Sequence, residues 1–226
     1  MEGVVASDLL FSWSGGKDSA LALHEVTKTG NYRVKALLTT VTEEFDRISM
    51  HGVRRSLLHA QASSLGLPLE EVRIPKNASN EIYEAQMRKL LTRYRGEGVE
   101  EVAFGDLFLQ DVRSYREERL GQIGMRGYFP LWGRNTTEVA GEFIELGFKA
   151  VICCIDPRKL SKEFCGREYD HSLLESLPSG VDPCGENGEF HTFVYVGPIF
   201  KDEIAIKRGE VVLRDGFYFI DLLPAG

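Results

Sequence analysis

Short apolar segments alternate with amphipathic segments along this 226-residue chain, from its start to about Ile155. The apolar segments have the length of single strands, and the segments between them repeat apolar residues at helical spacing. Strands that alternate with helices form crossover units, in which the strands pair in parallel and the helices cover the sheet. We therefore predict an α/β fold with a mostly parallel sheet and helices on both faces.

The predicted elements follow one another at short intervals. Strands are predicted at residues 9–13, 34–41, 71–74, 101–104 and 149–155, with a fifth strand or extended segment at 128–132. Helices are predicted at residues 18–28, 53–65, 82–94, 112–125 and 136–146. Ser79 and Asn135 precede two of these helices and are placed to cap them.

The pattern changes after about Pro157. A strand is predicted at residues 190–196, and the turn Asp215-Gly216 between two β-rich runs indicates a hairpin over residues 203–222. We expect two parts: an α/β part over residues 1–125 and a smaller, substrate-facing α+β part over residues 126–226.

Composition narrows the class of protein. No run reaches the ~18 apolar residues that a membrane helix needs, and Met1–Asp8 lacks the basic residues of a secretory signal. The formal net charge is −7, which argues against general nucleic-acid binding, because such binding needs a basic surface. The four cysteines show no C-x-x-C spacing and predict reduced thiols in a cytoplasmic protein.

The first predicted strand runs directly into a glycine loop, SWSGGKDS at residues 12–19, which opens a helix. The glycines let the backbone approach an anion closely, and the start of the helix supplies free N–H groups. Ser14 and Ser19 add hydroxyl donors, and Lys17 adds a positive charge. The loop therefore predicts a phosphate site, with a plain glycine turn and serine cap as the alternative. It fits neither the Walker pattern nor the G-x-G-x-x-G dinucleotide pattern.

The segment Ser14–Ser19 resembles the SGGxDS pyrophosphate loop of the PP-loop ATP pyrophosphatases. This resemblance implies an adenine-nucleotide α-hydrolase fold. It also implies that ATP is cleaved between the α- and β-phosphates to give AMP and pyrophosphate.

A second resemblance covers most of the chain. Gly105-Asp106, Pro130-Leu131-Trp132, Asn135 and the CGENGEFHTF block at residues 184–193 are similar, in this order, to motifs of the diphthine–ammonia ligase family. His191 stands where that family usually has an acid. The resemblance implies an ATP-dependent ligase that forms an amide from free ammonia and diphthine on elongation factor 2.

The two resemblances imply roles for particular residues. The expected ATP contacts are Ser12, Ser14, Gly15, Gly16, Lys17, Asp18, Ser19, Thr39, His51, Gly105 and Asp106. The expected catalytic residues are Lys17, Asp18, Glu186 and Glu189. Asp18 and Asp106 are the expected Mg²⁺ ligands, since magnesium usually takes one or two carboxylates plus phosphate oxygens. The competing interpretations are a helix N-terminal charge for Asp18, a turn residue for Asp106 and an exposed polar hairpin for the two glutamates.

Other features leave alternatives open. Arg113, Arg116 and Arg119 share one helical face, which we interpret as a solvated face, with contact to an anion as the alternative. The aromatic residues Tyr128, Trp132 and Phe190 would suit the trimethylammonium group of diphthine or pack in the core.

Two further functions compete with the leading one. A related ligase would act on a small-molecule acceptor, and an adenine-nucleotide-binding module would not turn over. A homodimer is one assembly that the sequence leaves open.

Overall fold

The computed structural model describes residues 6–49, 51–76 and 78–225. Most of the Met1–Asp8 segment and Met50, which precedes the expected ATP contact His51, therefore lie outside the described residues. The strands are β1 Ser7–Ser12, β2 Tyr32–Thr42, β3 Arg47–Ile48, β4 Leu69–Ile74, β5 Glu101–Ala103, β6 Arg126–Tyr128, β7 Lys149–Ile155, β8 Phe190–Val196, β9 Ile206–Arg214 and β10 Phe217–Pro224. The helices are α1 Lys17–Lys28, α2 Arg55–Leu65, α3 Asn80–Gly96, α4 Gln110–Gly121, α5 Thr136–Glu145 and α6 His171–Ser176.

The first sheet has the order β3-β2-β1-β5-β6, and β4 also pairs with β2. Its pairs are parallel apart from the antiparallel pair of β2 and β3. The chain moves outward from β1 through β2 to β4 and then returns to the other side of β1 with β5. This reversal leaves a crevice at the carboxyl end of β1, where open α/β sheets bind their ligands.

The second sheet is antiparallel and has the order β8-β7-β10-β9. Strand β7 begins after α5, and β8 follows a long segment that contains α6. The C-terminal hairpin of β9 and β10 completes this sheet. The salt bridges from Arg47 and Arg54 to Asp221 of β10, at 2.9 and 2.7 Å, join it to the first sheet region.

Two apolar cores lie on opposite faces of the first sheet. Leu9 and Phe11 face one core, which includes residues of α1, α2, α5 and the second sheet. Leu10 faces the other core, which includes residues of α3 and α4. Alternate side chains of one strand point to opposite faces, so β1 is buried on both sides. The mostly parallel sheet with helices on both faces is confirmed.

Most predicted elements agree with the structure to within a few residues; the helix predicted at 112–125 ends at Gly121, and β3 and α6 have no predicted counterpart. The hairpin, the strands at 149–155 and 190–196 and the two capped helices are confirmed. The strand or extended segment predicted at 128–132 is wrong beyond Tyr128, because the chain turns at Pro130. Trp132 N–H donates to the carbonyl of Phe129 across this turn. Proline lacks the N–H that a continuing ladder would need.

The division at residue 125 stays a prediction. Strand β6 lies beyond that position and pairs with β5 in the first sheet. Cys153 and Cys154 of β7 are buried, and the four cysteines are free thiols. Within the described part of the chain, no helix is both long and apolar enough to cross a membrane.

Asn135 caps α5 through its side-chain oxygen, which accepts from Thr137 N–H at 2.9 Å and Glu138 N–H at 3.2 Å. We expect Asn135→Ala to lower the free energy of unfolding by about 1 kcal/mol, because two N–H groups lose their acceptor. Urea denaturation measures this change. Asn135→Asp keeps the acceptor and should preserve stability, and equal stability of the alanine variant would contradict the cap.

Candidate functional site

The glycine loop lies at the carboxyl end of β1, the central strand of the first sheet. Trp13 N–H donates to the carbonyl of Leu38 at 2.8 Å, and the hydroxyl of Thr39 donates to the carbonyl of Trp13 at 2.6 Å. Strand β2 therefore holds the start of the loop. The hydroxyl of the buried Thr39 donates its hydrogen to the carbonyl of Trp13 and is not free to donate to a ligand.

Gln61 of α2 holds the middle of the loop. It is fully buried, accepts from Trp13 Nε1 at 3.0 Å, and donates to the carbonyls of Gly15 at 3.1 Å and Val194 at 2.7 Å. Gly15 has a φ of 78°, and a Cβ at this position would lie 2.7 Å from Gln61 Oε1. Only glycine fits both the backbone conformation and the close approach.

Strand β8 of the second sheet contacts the loop from the other side. Val194 N–H donates to the carbonyl of Gly15 at 2.9 Å, and Lys17 N–H donates to the hydroxyl of Thr192 at 3.0 Å. The loop is thus held between helix α2 and a strand from the C-terminal sheet.

Some donors of the loop have partners and others do not. Gly16 N–H donates to Ser14 Oγ at 3.2 Å, and Ser14 Oγ lies 3.0 Å from Ser19 Oγ. Among residues 6–49, 51–76 and 78–225, the N–H groups of Ser14, Gly15 and Asp18 have no hydrogen-bond partner. These donors are left for an anion at the positive end of the α1 dipole.

Gly105 brings the end of β5 against the first turn of α1. A Cβ on Gly105 would lie 2.8 Å from the carbonyl carbon of Asp18 and 2.9 Å from Ser19 N. The neighbouring Asp106 is therefore brought close to the loop.

Lys17 points towards the C-terminal block rather than into open solvent. Its side chain is 3% exposed, its Nζ lies 2.7 Å from Asp18 Oδ1, and it donates to the carbonyl of Cys184. Burial opposes its charge, but Asp18, with smaller contributions from Cys184 and Glu186, outweighs burial and raises the pKa of Lys17. The ammonium group therefore stays charged.

Asp106 is paired with Arg116 of α4. Arg116 Nη2 donates to Asp106 Oδ1 at 3.2 Å, and Arg116 Nε lies 2.9 Å from Asp106 Oδ2 without a well-directed hydrogen bond. The predicted solvated face holds in part: the side chains of Arg113, Arg116 and Arg119 are 29, 30 and 37% exposed, and Arg113 pairs with Glu117 at 2.8 Å. Arg116 and Arg119 also line a cavity, because α4 packs on the same face of the sheet as α3.

The two glutamates of the C-terminal block lie in different surroundings. Glu186 Oε1 accepts from Leu107 N–H at 2.8 Å. Burial is the main cause that raises the pKa of Glu186 to about 7; the hydrogen bond from Leu107 opposes it, and Asp18 and Asp106 add to it. Glu186 therefore lies near the loop and both predicted metal ligands.

Glu189 is 3% exposed and turned into its own loop. Its Oε1 accepts from Asp182 N–H at 3.3 Å and from Asn187 Nδ2 at 3.2 Å. Asp182 in turn accepts from the N–H groups of Cys184 and Glu186 at 3.2 and 3.1 Å. Asp182 therefore shapes the block that presents Glu186.

Burial is also the main cause that raises the pKa of the Cys184 thiol to about 12. The thiol is therefore protonated at neutral pH. A nucleophilic role for Cys184 is unsupported.

A cavity of about 570 Å³ opens between the strand ends and helices α3 and α4. Of the predicted ATP contacts, it is lined by Ser12, Ser14, Thr39 and His51. The start of the loop, at Ser14, therefore opens onto the cavity, whereas Gly15–Ser19 do not line it. Lys17, Asp18 and Glu186 lie on the other side of the loop.

Two family models match this chain. Residues 8–127 match the diphthamide synthase N-terminal domain, and residues 135–222 match the diphthamide synthase C-terminal domain. The chain belongs to the diphthamide synthase family. It is an ATP-dependent ligase of that family.

Curated relatives agree with this assignment. The chain is 26% identical to the diphthine–ammonia ligase of Mus musculus, covering 91% of this chain and 85% of the mouse protein. It is 27% identical to that of Danio rerio, covering 89% and 87%. A solved structure titled as a predicted subunit of tRNA methyltransferase from Methanocaldococcus jannaschii has a TM-score of 0.44 and 20% identity. It covers 87% of this chain and 100% of that one, a likeness too weak to support a functional inference.

His51 and His191 form a stacked pair in this diphthamide synthase family member. Their ring centroids are 4.6 Å apart, and both rings line the cavity. Burial lowers the pKa of His191 to about 4, and burial and the charge of the neighbouring His191 hold the pKa of His51 well below its usual value. Lys17 lowers both, so the pair is neutral at pH 7.

Sequence reasoning missed Gln61, Asp182 and the partner role of His191. Gln61 carries a usable signal, because it lies on the same helical face as Leu57 and Leu58 in an otherwise apolar pattern. A polar residue on a buried face needs hydrogen-bond partners. Nothing local marks His191 as the stacking partner of His51, since the two are far apart in sequence.

We expect Gln61→Leu to lower the free energy of unfolding by about 2 kcal/mol or more, because buried groups of Trp13, Gly15 and Val194 lose their partners. Chemical denaturation followed by tryptophan fluorescence measures this. Gln86→Leu, on the exposed face of α3, is the matched control. Equal stability of the two variants would show that the loop does not depend on Gln61.

The histidine pair predicts loss of stability in acid. The unfolded chain binds a proton at histidine near pH 6.5, whereas His191 in the fold does so only near pH 4. The free energy of unfolding should therefore fall as the pH drops through this window, by an amount on the order of 3 kcal/mol. Urea denaturation across the window measures it. His191→Asn should flatten the profile, and His171→Asn at an exposed position should not; identical profiles would contradict the buried pair.

Proposed function

We propose that this ligase activates an acceptor carboxylate with ATP and converts it into an amide with ammonia. The carboxylate attacks the α-phosphorus, pyrophosphate leaves, and ammonia displaces AMP from the acyl-adenylate. The observation that carries this proposal is the loop at the end of β1: Ser14 lines the cavity, N–H groups of the loop have no partner among the described residues, and a buried lysine lies behind them.

The loop residues have distinct proposed roles. The N–H groups of Ser14, Gly15 and Asp18, with the hydroxyl of Ser19 and the backbone of Gly16, hold the β- and γ-phosphates. Ser12 and the backbone at Thr39 contact the nucleoside, and His51 lies beside it. Donors that are held in place before binding stabilise the charge that develops on pyrophosphate.

Lys17 is proposed to stabilise negative charge on the α-phosphate and on pyrophosphate. It lies directly after the loop glycines and keeps its proton, since its pKa is raised. Its contact with the carbonyl of Cys184 links the loop to the C-terminal block. Charge at the loop is thereby coupled to the position of Glu186.

Asp18 and Asp106 are the proposed magnesium ligands. Among the described residues, no group of three or more histidine, cysteine or acidic side chains holds a metal by itself. Two carboxylates suffice when phosphate oxygens complete the coordination, and Asp18 and Asp106 both lie beside the loop, where Lys17 and Arg116 pair with them. The residues therefore fit magnesium, which would neutralise phosphate charge.

Glu186 is the proposed base for the ammonia step. With a pKa of about 7, its carboxylate is present near neutral pH and can accept a proton from ammonium or from the tetrahedral adduct. Glu189 was expected to share this role, and its buried contacts within the loop favour a supporting role instead. Both glutamates therefore belong to the proposed site: Glu186 acts on the reacting groups, and Glu189 supports the loop that presents Glu186.

Diphthine on elongation factor 2 is the acceptor that the names of the relatives suggest. The aromatic residues expected to contact its trimethylammonium group are engaged within the fold: Phe190 is buried beside Lys17, Tyr128 packs against Tyr32, and Trp132 stacks with Arg113. This placement favours a small-molecule acceptor as the second candidate. In both cases the ATP chemistry is the same.

We expect Lys17→Met to lower the rate of AMP formation at least about a hundredfold, the usual loss when one charge-stabilising donor is removed. The assay separates AMP from ADP after incubation with ATP, ammonium and diphthine-bearing elongation factor 2. Lys28→Met, at the exposed end of α1, is the control and should keep the wild-type rate.

Two outcomes would contradict the proposal. Formation of ADP instead of AMP would place the cleavage at the wrong bond. Tight ATP binding without AMP under every acceptor condition would identify a nucleotide-binding module instead of a ligase.

A further inference from the structure

Two arginines lie side by side at the base of the turn that carries His51. Arg47 of β3 pairs with Arg54 in an isolated antiparallel bridge, so their side chains lie next to each other across the turn. Within the turn, Gly52 N–H donates to the carbonyl of Ile48 at 3.0 Å. The position of His51 therefore depends on what holds the two arginines together.

Asp221 of β10 accepts hydrogen bonds from both arginines. Arg54 donates to its two oxygens from Nε at 2.9 Å and Nη2 at 2.7 Å, and Arg47 Nη2 donates to Oδ1 at 2.9 Å. These contacts, the hydrogen bond from Arg54 above all, lower the pKa of Asp221, so the carboxylate stays charged. Without it, two like charges would lie together and lose their shared acceptor. Asp221 therefore closes the base of the turn.

Strand β10 also contacts Gly52, the neighbour of His51 in the chain. Arg47, held by Asp221, donates from Nη1 to the carbonyl of Gly52 at 2.7 Å. Phe219 packs so closely on Gly52 that a Cβ there would lie 2.5 Å from Phe219 Cδ1. The φ of Gly52 is 67°, which also favours glycine. The C-terminal strand therefore fixes the backbone directly after His51.

On its other side, His51 touches the glycine loop. Its Cε1 lies 3.3 Å from the point that a Cβ on Gly16 would occupy. Its ring stacks on His191 and lines the cavity beside Ser14. A displaced turn would therefore move one wall of the cavity at the start of the loop.

We propose that Asp221 is a positioning residue for the nucleotide. It lies outside the cavity lining and acts through Arg47 and Gly52, which set the place of His51 against the loop. The inference rests on the proposed function, since it assumes that the nucleotide occupies the cavity and contacts His51. The last strand of the chain thereby controls an ATP contact that belongs to the first sheet region.

The test is a double-mutant cycle on nucleotide affinity. α,β-Methylene-ATP, which blocks turnover, is titrated calorimetrically with excess magnesium into the full chain, D221N, H51A and the double variant. D221N should raise the dissociation constant about tenfold, the result when the competent turn is populated only about a tenth of the time. H51A should raise it at least as much. Adding D221N to H51A should change it less than about twofold, because residues that act through one contact are not additive.

E168Q is the matched control, because it also removes a charged acceptor of an arginine. Glu168 accepts from Arg208 and from the hydroxyl of Tyr195, two residues of the second sheet. E168Q should therefore keep the wild-type affinity. R47Q serves as a second variant if D221N loses its cooperative thermal unfolding. It removes the donor to Gly52 and should weaken binding in the same direction, with no further effect when combined with H51A.

Equal affinity of D221N and the wild-type chain would overturn the positioning role. An equal weakening by D221N with and without His51 would also overturn it, because a general loss of stability acts in both backgrounds. Unchanged affinity in H51A would do the same. Failure of the analogue to bind the wild-type chain would instead count against the proposed function. The two failures are therefore distinguishable.

Discussion

The hydrogen bonds between strand β8 and the glycine loop are the contact on which the site depends. Thr192 accepts from the first N–H of α1, and Val194 donates to the carbonyl of Gly15. Gln61 of α2 also joins the loop to β8, because its amide donates to the carbonyls of both Gly15 and Val194. A loop that follows a strand has many possible paths, and these bonds select one. The direction of its free N–H groups is thus set by residues far away in sequence.

Electrostatics divides the site into regions with different tasks. Behind the loop, Lys17 lies among Asp18 and Glu186, so a buried positive charge is surrounded by carboxylates. On the cavity side, the neutral pair of His51 and His191 keeps the loop end free of competing charge. Such a separation allows phosphate charge to be recognised mainly by fixed backbone dipoles, which need no rearrangement during reaction.

Local sequence carried enough information for the framework of the fold and for the loop. Apolar periodicity predicted β7 and β8 with their observed bounds, and Asn135 indicated the start of α5. The glycine pair and the residues around it predicted a loop between a strand and a helix, which lies between β1 and α1, and the anion site there stays a prediction. Each of these features depends on neighbours within a few residues, which is the range that a pattern can report.

The remaining features depend on contacts between distant segments. Glu186 and Glu189 both follow a glycine, and only the fold separates one that faces the loop from one that is buried in its own turn. Arg116 and Arg119 share the partly solvated face of α4, and only the packing of α3 beside α4 shows that they also line the cavity. Spacing along one helix gives the direction of a side chain but does not give what lies across from it.

The position of β8 in the chain has a consequence for synthesis. Domains fold largely from the N-terminus as they leave the ribosome. The glycine loop is made early, whereas Thr192 and Val194 emerge only after the whole first sheet. A nascent chain that ends near residue 127 therefore carries the loop without the strand that orients it. We therefore expect the loop to become able to bind nucleotide late in translation, once the second sheet has been made.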